Sequence, residues 1–121
     1  MSDGKGYQAV NNNAKWADVR SRFLINFPPN FHPNKAVEML ALCRTSQRLR
    51  QLVPFISLGR LGLERYEAYE RGHADNFVCL YFYDSYYVVS DSSNEEKRFF
   101  DTAEAAISFV KLHLDDENPF Q

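Results

Sequence analysis

Apolar positions recur along the 121-residue chain with two different periods. From residue 13 or 14 to about residue 25, Trp16, Val19 and Phe23, with Phe27 beyond, fall three and four apart. This spacing predicts an amphipathic helix with a single apolar stripe. Lys15, Asp18 and Arg22 fall on or near its polar side. Pro28-Pro29 ends it, because neither proline has an N–H and Pro28 disfavours helical backbone at Phe27. Phe31 is expected to pack beneath the stiff linker FPPNFHPN. A second helix is predicted from an Asn34 N-cap, with Glu38 in its early turns and Val37, Leu40 and Ala41 on its apolar side. It either breaks at Thr45-Ser46 and resumes through Leu49, Leu52 and Val53, or runs on to Gln51, and Pro54 ends it in both cases.

Beyond Pro54 the period falls to two. Residues 55–66 read as a connector followed by a first strand, with Leu61 and Leu63 on one face and Arg60, Gly62 and Glu64 on the other. Gly59 and Gly62 point to a bulge or a close backbone approach. The charged stretch ERYEAYERGHADN follows, as a loop or a short helix. Residues 76–90, NFVCLYFYDSYYVVS, form the longest apolar and aromatic run and read as a β-hairpin. A two-residue loop at Asp84-Ser85 pairs Tyr83 with Tyr86, Phe82 with Tyr87 and Leu80 with Val89. These last two pairs and Val78 then make the core face. Cys79, Tyr81, Tyr83, Tyr86, Val88 and Ser90 take the other face. A slip of one residue exchanges the two faces, because side chains alternate.

DSSNEE is a polar loop, and KRFF is the fourth strand. The last helix is capped by Asp101 or Thr102, with Glu104 at capping-box spacing from Asp101. Its stripe is Ala103, Ala106, Ile107, Val110 and Leu114, and Asp115-Asp116-Glu117 sits unfavourably at its C-terminal end. The tail NPFQ is expected to fray. The prediction is therefore an α+β fold. Two N-terminal helices and one C-terminal helix pack mainly on one face of an antiparallel sheet of about four strands. Residues 1–12 are expected as a flexible arm and residues 13–121 as one domain.

Composition narrows the function classes. The hydrophobic fraction of 45% and aromatic fraction of 15% argue against disorder. A formal net charge of −2, from 14 basic and 16 acidic side chains, gives no support to a nucleic-acid or membrane-surface binder. No segment approaches transmembrane length and no N-terminal apolar run resembles a signal peptide, so a cytoplasmic protein is expected. Cys43 and Cys79 are far apart in sequence and are expected as buried thiols. His32, His73 and His113 fall on three different elements and form no metal-ligand spacing, so no metal or cofactor is expected. The cysteines lack a nucleophile motif, there is no GxSxG, and the glycines form no phosphate loop. No enzyme is expected. Arg44, Arg48, Arg50 and Arg60 are the one basic concentration, read as a solvated face or as partners of the many acids rather than a phosphate contact.

The segment RLRQLVPFISLGRLGL, with the later strand at residues 87–90 and the DTAEAAISFVKLHL helix, resembles a family of uncharacterised bacterial domains. That family carries an LR-x-L-x-P-aromatic-x-S pattern and a closing helix after a T-x-E-A-type start. The matching positions are Leu49, Arg50, Leu52, Pro54, Phe55, Ser57, Leu61, Thr102, Ala103, Glu104 and Ala105, over roughly the C-terminal two-thirds. The aromatic strands depart from the pattern, and the resemblance implies no catalytic residues. In size and texture the chain also resembles the small immunity proteins of interbacterial toxin systems, which implies a non-catalytic domain that binds one toxin domain.

The tyrosines carry the functional expectation, since tyrosine buries a large rigid ring and keeps a polar tip. The expected partner-binding residues are Glu64, Tyr66, Glu67, Tyr69, Glu70, Asp75, Tyr83, Tyr86, Asp91 and Glu95. They combine aromatic anchors with acidic charge that steers a basic protein partner. The alternatives are a structural or accessory domain that dimerises through the tyrosine face, or a small-ligand binder with a pocket between sheet and helices.

Overall fold

The structure, a computed structural model, describes residues 12–65 and 76–121. The described elements run in the order α1 (Asn13–Asn26), α2 (Pro33–Thr45), β1 (Val53–Ser57), β2 (Arg60–Glu64), β3 (Asn76–Tyr83), β4 (Tyr86–Ser90), β5 (Lys97–Phe100) and α3 (Ala103–Leu112). The fold is α+β. All five strands pair antiparallel with their sequence neighbours in the spatial order β1-β2-β3-β4-β5. The three helices line up on one face, α1 over β1, α2 over β2 and β3, and α3 over β4 and β5.

The stripes of α1 and α3 meet in this layer as read from the sequence, whereas that of α2 is rotated: Leu40 is buried and Val37 half-buried, but Ala41 is exposed and Ala36, Met39 and Cys43 take the core side. Trp16, Val19 and Phe23 come from α1, Met39, Leu40 and Cys43 from α2, and Ala103, Ala106, Ile107 and Val110 from α3. They pack on Leu61, Leu63, Val78, Leu80, Tyr87 and Val89, with Phe82 at the margin. The hairpin register is the expected one, with Leu80 opposite Val89, Phe82 opposite Tyr87 and Tyr83 opposite Tyr86. Asp84 (φ 54) and Ser85 (φ 71) both take left-handed backbone, the handedness that a two-residue hairpin loop needs.

The sheet has one more strand than expected. VPFIS, read as helix end and connector, is the edge strand β1. Pro54 is accommodated because an edge strand leaves one side of its backbone without a ladder. Leu58 (φ 54) and Gly59 (φ 81) make the tight turn into β2. Gly62 is the close approach, since a Cβ there would collide with the ring of Phe55, its cross-strand partner. The ladder shifts register between Leu63 and Glu64, a bulge at the end of β2.

Other boundaries move for local reasons. α2 starts at Pro33 rather than from an Asn34 cap: His32 (φ 51) precedes it, and a proline at the first helical position has its φ preset. α2 ends at Thr45, so the break expected at Thr45-Ser46 is there, but the resumed 3-10 turn covers only residues 49–51: Leu52 is already extended and Val53 and Pro54 lie in β1. Phe31 is not buried under the linker but half-exposed, its ring against Phe27 and over Gly59. The α1 cap is Asn12, whose side chain donates to the Leu52 carbonyl, while Trp16 Nε1 donates to the Arg50 carbonyl at 2.9 Å. Thr102 is the cap of α3, its Oγ1 accepting the Ala105 N–H at 3.1 Å. The tail does not fray. Phe120 is buried near Phe109, and its carbonyl accepts Arg98 Nη2 at 2.7 Å. Asp115 pairs with Arg48 (2.9 Å) and Asp116 with His113 (2.6 Å) beyond the helix end.

Candidate functional site: an aromatic groove on the open face of the sheet

Strand alternation sends Phe55, Arg60, Gly62, Cys79, Tyr81, Tyr83, Tyr86, Val88, Ser90, Lys97 and Phe99 to the face opposite the helices. No described helix covers this face, yet Cys79, Val88 and Ser90 are fully buried. Three features close over it. The Phe55 ring lies against Gly62. Arg60 crosses β3 and donates from Nη2 to the Ser92 carbonyl at 3.1 Å, while its Nε donates to the Ser57 carbonyl at 3.2 Å. The loop of residues 91–96 folds back so that Asn94 (φ 64) accepts the Tyr81 hydroxyl at 2.7 Å.

That loop is tied together by Asp91. Its Oδ1 accepts the N–H groups of Glu95 (2.9 Å) and Glu96 (3.3 Å), and its Oδ2 accepts the Ser93 hydroxyl (3.1 Å). Burial alone would raise the carboxyl. The backbone donors of Glu95 and Glu96, with Ser93 and Asn94, outweigh it and hold Asp91 below the usual aspartate value. Arg60 is only 9% exposed, and its Nη1 has no hydrogen-bond partner among the described residues. Burial raises the Cys79 thiol, partly offset by Arg60, and pushes the Cys43 thiol up to about 12. Both cysteines are free and lie in different layers, Cys43 in the helical core and Cys79 on the open face.

Between this loop and the hairpin turn lies a groove of 690 Å³, lined by Tyr81, Tyr83, Asp84, Tyr86, Asn94, Lys97 and Phe99. Its rings are unusually open to solvent for their type, with Tyr83 65%, Tyr86 42% and Phe99 55% exposed. Tyr86 and Phe99 meet edge to face at 5.9 Å, which fixes both rings without burying them. The groove therefore offers rigid aromatic area with a carboxylate and an ammonium. Among the described residues no nucleophile–base pair lines it.

The residues expected at a partner surface divide into three groups. Tyr83 and Tyr86 line the groove. Glu64 is half-buried at the end of β2, away from it, Asp91 is turned into its own loop, and Glu95 is exposed on that loop. Tyr66, Glu67, Tyr69, Glu70 and Asp75 lie outside the described residues. Of the other residues lining the groove, Asn94 falls within the segment of residues 91–96 expected at a contact surface, whereas Tyr81, Asp84, Lys97 and Phe99 were not among the expected partner-binding residues. Phe99 was within reach, because extending the ladder from Tyr87 and Val88 onto KRFF places it beside Tyr86.

A second polar cluster closes the hairpin end of the helical layer. The Tyr87 hydroxyl donates to Glu38 Oε1 at 2.7 Å and accepts from Lys35 Nζ at 3.1 Å. The Lys35 ammonium sits 4.9 Å from the Phe82 ring centre, and the Tyr87 hydroxyl holds its pKa above the ordinary lysine value. This latch ties α2 to β4. The basic concentration expected near residues 44–60 is dispersed, since Arg48 pairs with Asp115 while Arg60 lies on the opposite face of the sheet. Among the described residues no group of three His, Cys, Asp or Glu side chains converges, and no helix is long and apolar enough to cross a membrane. No family model, curated protein or solved structure matches the chain.

Proposed function

We propose that the chain is a non-catalytic protein-binding domain, in its most concrete form an immunity protein that neutralises a cognate toxin domain. The observation that carries the reading is the exposed cluster of Tyr83, Tyr86 and Phe99 on the face opposite the helices. Rigid aromatic rings of this kind are the residues on which interface binding energy concentrates. The small α+β build and the acidic loop beside the groove, with Glu95 and Glu96 exposed, support the toxin form through steering of a basic partner.

The test is capture from the native host with tagged wild-type chain beside a Tyr86→Ala/Phe99→Ala variant. The expected result is a protein retained by the wild type and lost by the variant. That protein should be toxic when expressed alone and harmless when the wild-type chain is co-expressed. Equal retention by both forms, or a retained protein without toxicity, contradicts respectively the surface or the toxin form. One observation favours a second reading, a homodimer through the same region: among the described strands β5 is at the edge of the sheet and borders the groove. Light scattering across a concentration series separates it from the first.

A further inference from the structure

The groove has a direction and a charge at each end. Lys97 stands in the row of Ser90, and Tyr83 faces Tyr86 four residue steps further along β4, with Asp84 in the turn beyond. At ~3.3 Å per residue those steps span roughly 13 Å. Neither Lys97 nor Asp84 carries an ion pair or a side-chain hydrogen bond among the described residues. The rings of Tyr81, Tyr86 and Phe99 lie between them. A single compact ion satisfies only one end of such a groove. A stretch of about four extended residues has the right length to satisfy both.

We propose that this groove holds an extended segment of the partner protein, with an acidic side chain of the segment beside Lys97, apolar or aromatic side chains against the rings, and a basic side chain beside Asp84. The proposal rests on the protein-binding reading above and gives it a chemistry. Opposite charges fix which end of the segment lies where, and the rings supply contact area. The groove is open to solvent along Tyr83, Tyr86 and Phe99, so the segment enters without displacing a core residue.

The test is selection from a displayed random-peptide library on the full chain, followed by binding of synthetic copies of the enriched peptides. Enriched peptides should carry one acid and one base flanking an apolar or aromatic centre. Lys97→Glu should weaken them about tenfold, and exchanging the peptide's acid for lysine should restore binding to that variant. Asp84→Asn should weaken them by a similar factor, and it keeps a residue that tolerates left-handed backbone. Both side chains are exposed, so melting of the two variants should match the wild type and binding losses report contacts. Peptides without the paired charges, affinities that ignore both substitutions, or a library that yields no binder overturn the proposal. If the library fails while Tyr86→Ala/Phe99→Ala still loses the captured protein, the protein-binding reading stands and its contact is a folded surface instead.

Discussion

The two faces of the sheet bury their centres by different means. On the helical face, Leu61, Val78, Leu80 and Val89 meet aliphatic and aromatic side chains from three helices. Packing there is dense, so any lost methylene leaves a cavity. On the open face, Cys79, Val88 and Ser90 are equally buried, but beneath single side chains and a loop: Phe55 over Gly62, Arg60 bridging to Ser92, and Asn94 holding Tyr81. Towards the hairpin turn this cover stops, and Tyr83, Tyr86 and Phe99 are left in water. The helical face is thus committed to stability along its whole length, whereas the open face is committed only over part of it. These large rings, left uncovered next to a well-covered region, are the ground for our proposal that a partner docks there.

Substitutions that separate the faces differ in size. Leu80→Ala should cost about 3 kcal/mol in chemical denaturation, because the three helices relax only partly into the space. A loss under about 1 kcal/mol would mean that the helical layer collapses easily. Gly62→Ala should cost about 2 kcal/mol, since the new Cβ meets the Phe55 ring. Combined with Phe55→Ala, most of that additional cost should disappear, a coupling that a double-mutant cycle measures directly.

Asp91→Asn should cost about 1 kcal/mol, through weakened bonds to the Glu95 and Glu96 N–H groups. The pH dependence has a definite sign. The folded carboxyl is held below its ordinary value, so its contribution is fully present above roughly pH 4 and is lost as pH falls through the folded value. Acid titration of wild type against Asp91→Asn should show that difference shrinking at low pH. The cysteines give a chemical readout of the two buried layers. Both should resist a thiol reagent in the native protein, Cys43 with its thiol pushed up to about 12 and Cys79 raised by burial, and both should react on unfolding.

Much of the comparison was already written in the residue pattern. Alternation alone separated Val78, Leu80, Phe82, Tyr87 and Val89 from Tyr81, Tyr83, Tyr86 and Val88, and the structure keeps that division. The stripes of α1 and α3 were equally plain, because three- and four-residue spacing survives any tertiary detail. β1 was hidden by Pro54, which reads as a helix terminator unless the strand is known to lie at an edge. The groove was half visible. Tyr83 and Tyr86 follow from the hairpin, while Phe99 depends on the register of the next strand, across the loop of residues 91–96. Asn94 depends on a loop fold that the sequence does not announce, and Asp91 looked like a free surface acid because its partners are backbone N–H groups. Phe120 was misread because four terminal residues carry no periodicity, and its burial comes from Phe109 and Arg98.

The most direct test sets stability against binding for Tyr86→Ala and Phe99→Ala. Each ring is exposed, so each variant should lose no more than about 1 kcal/mol in thermal or chemical unfolding. Binding to the captured partner should weaken by about 2 kcal/mol or more for at least one of them, measured by calorimetry on folded protein. Variants that unfold much earlier yet bind the partner normally would assign these rings to the fold and contradict the open face as a binding surface.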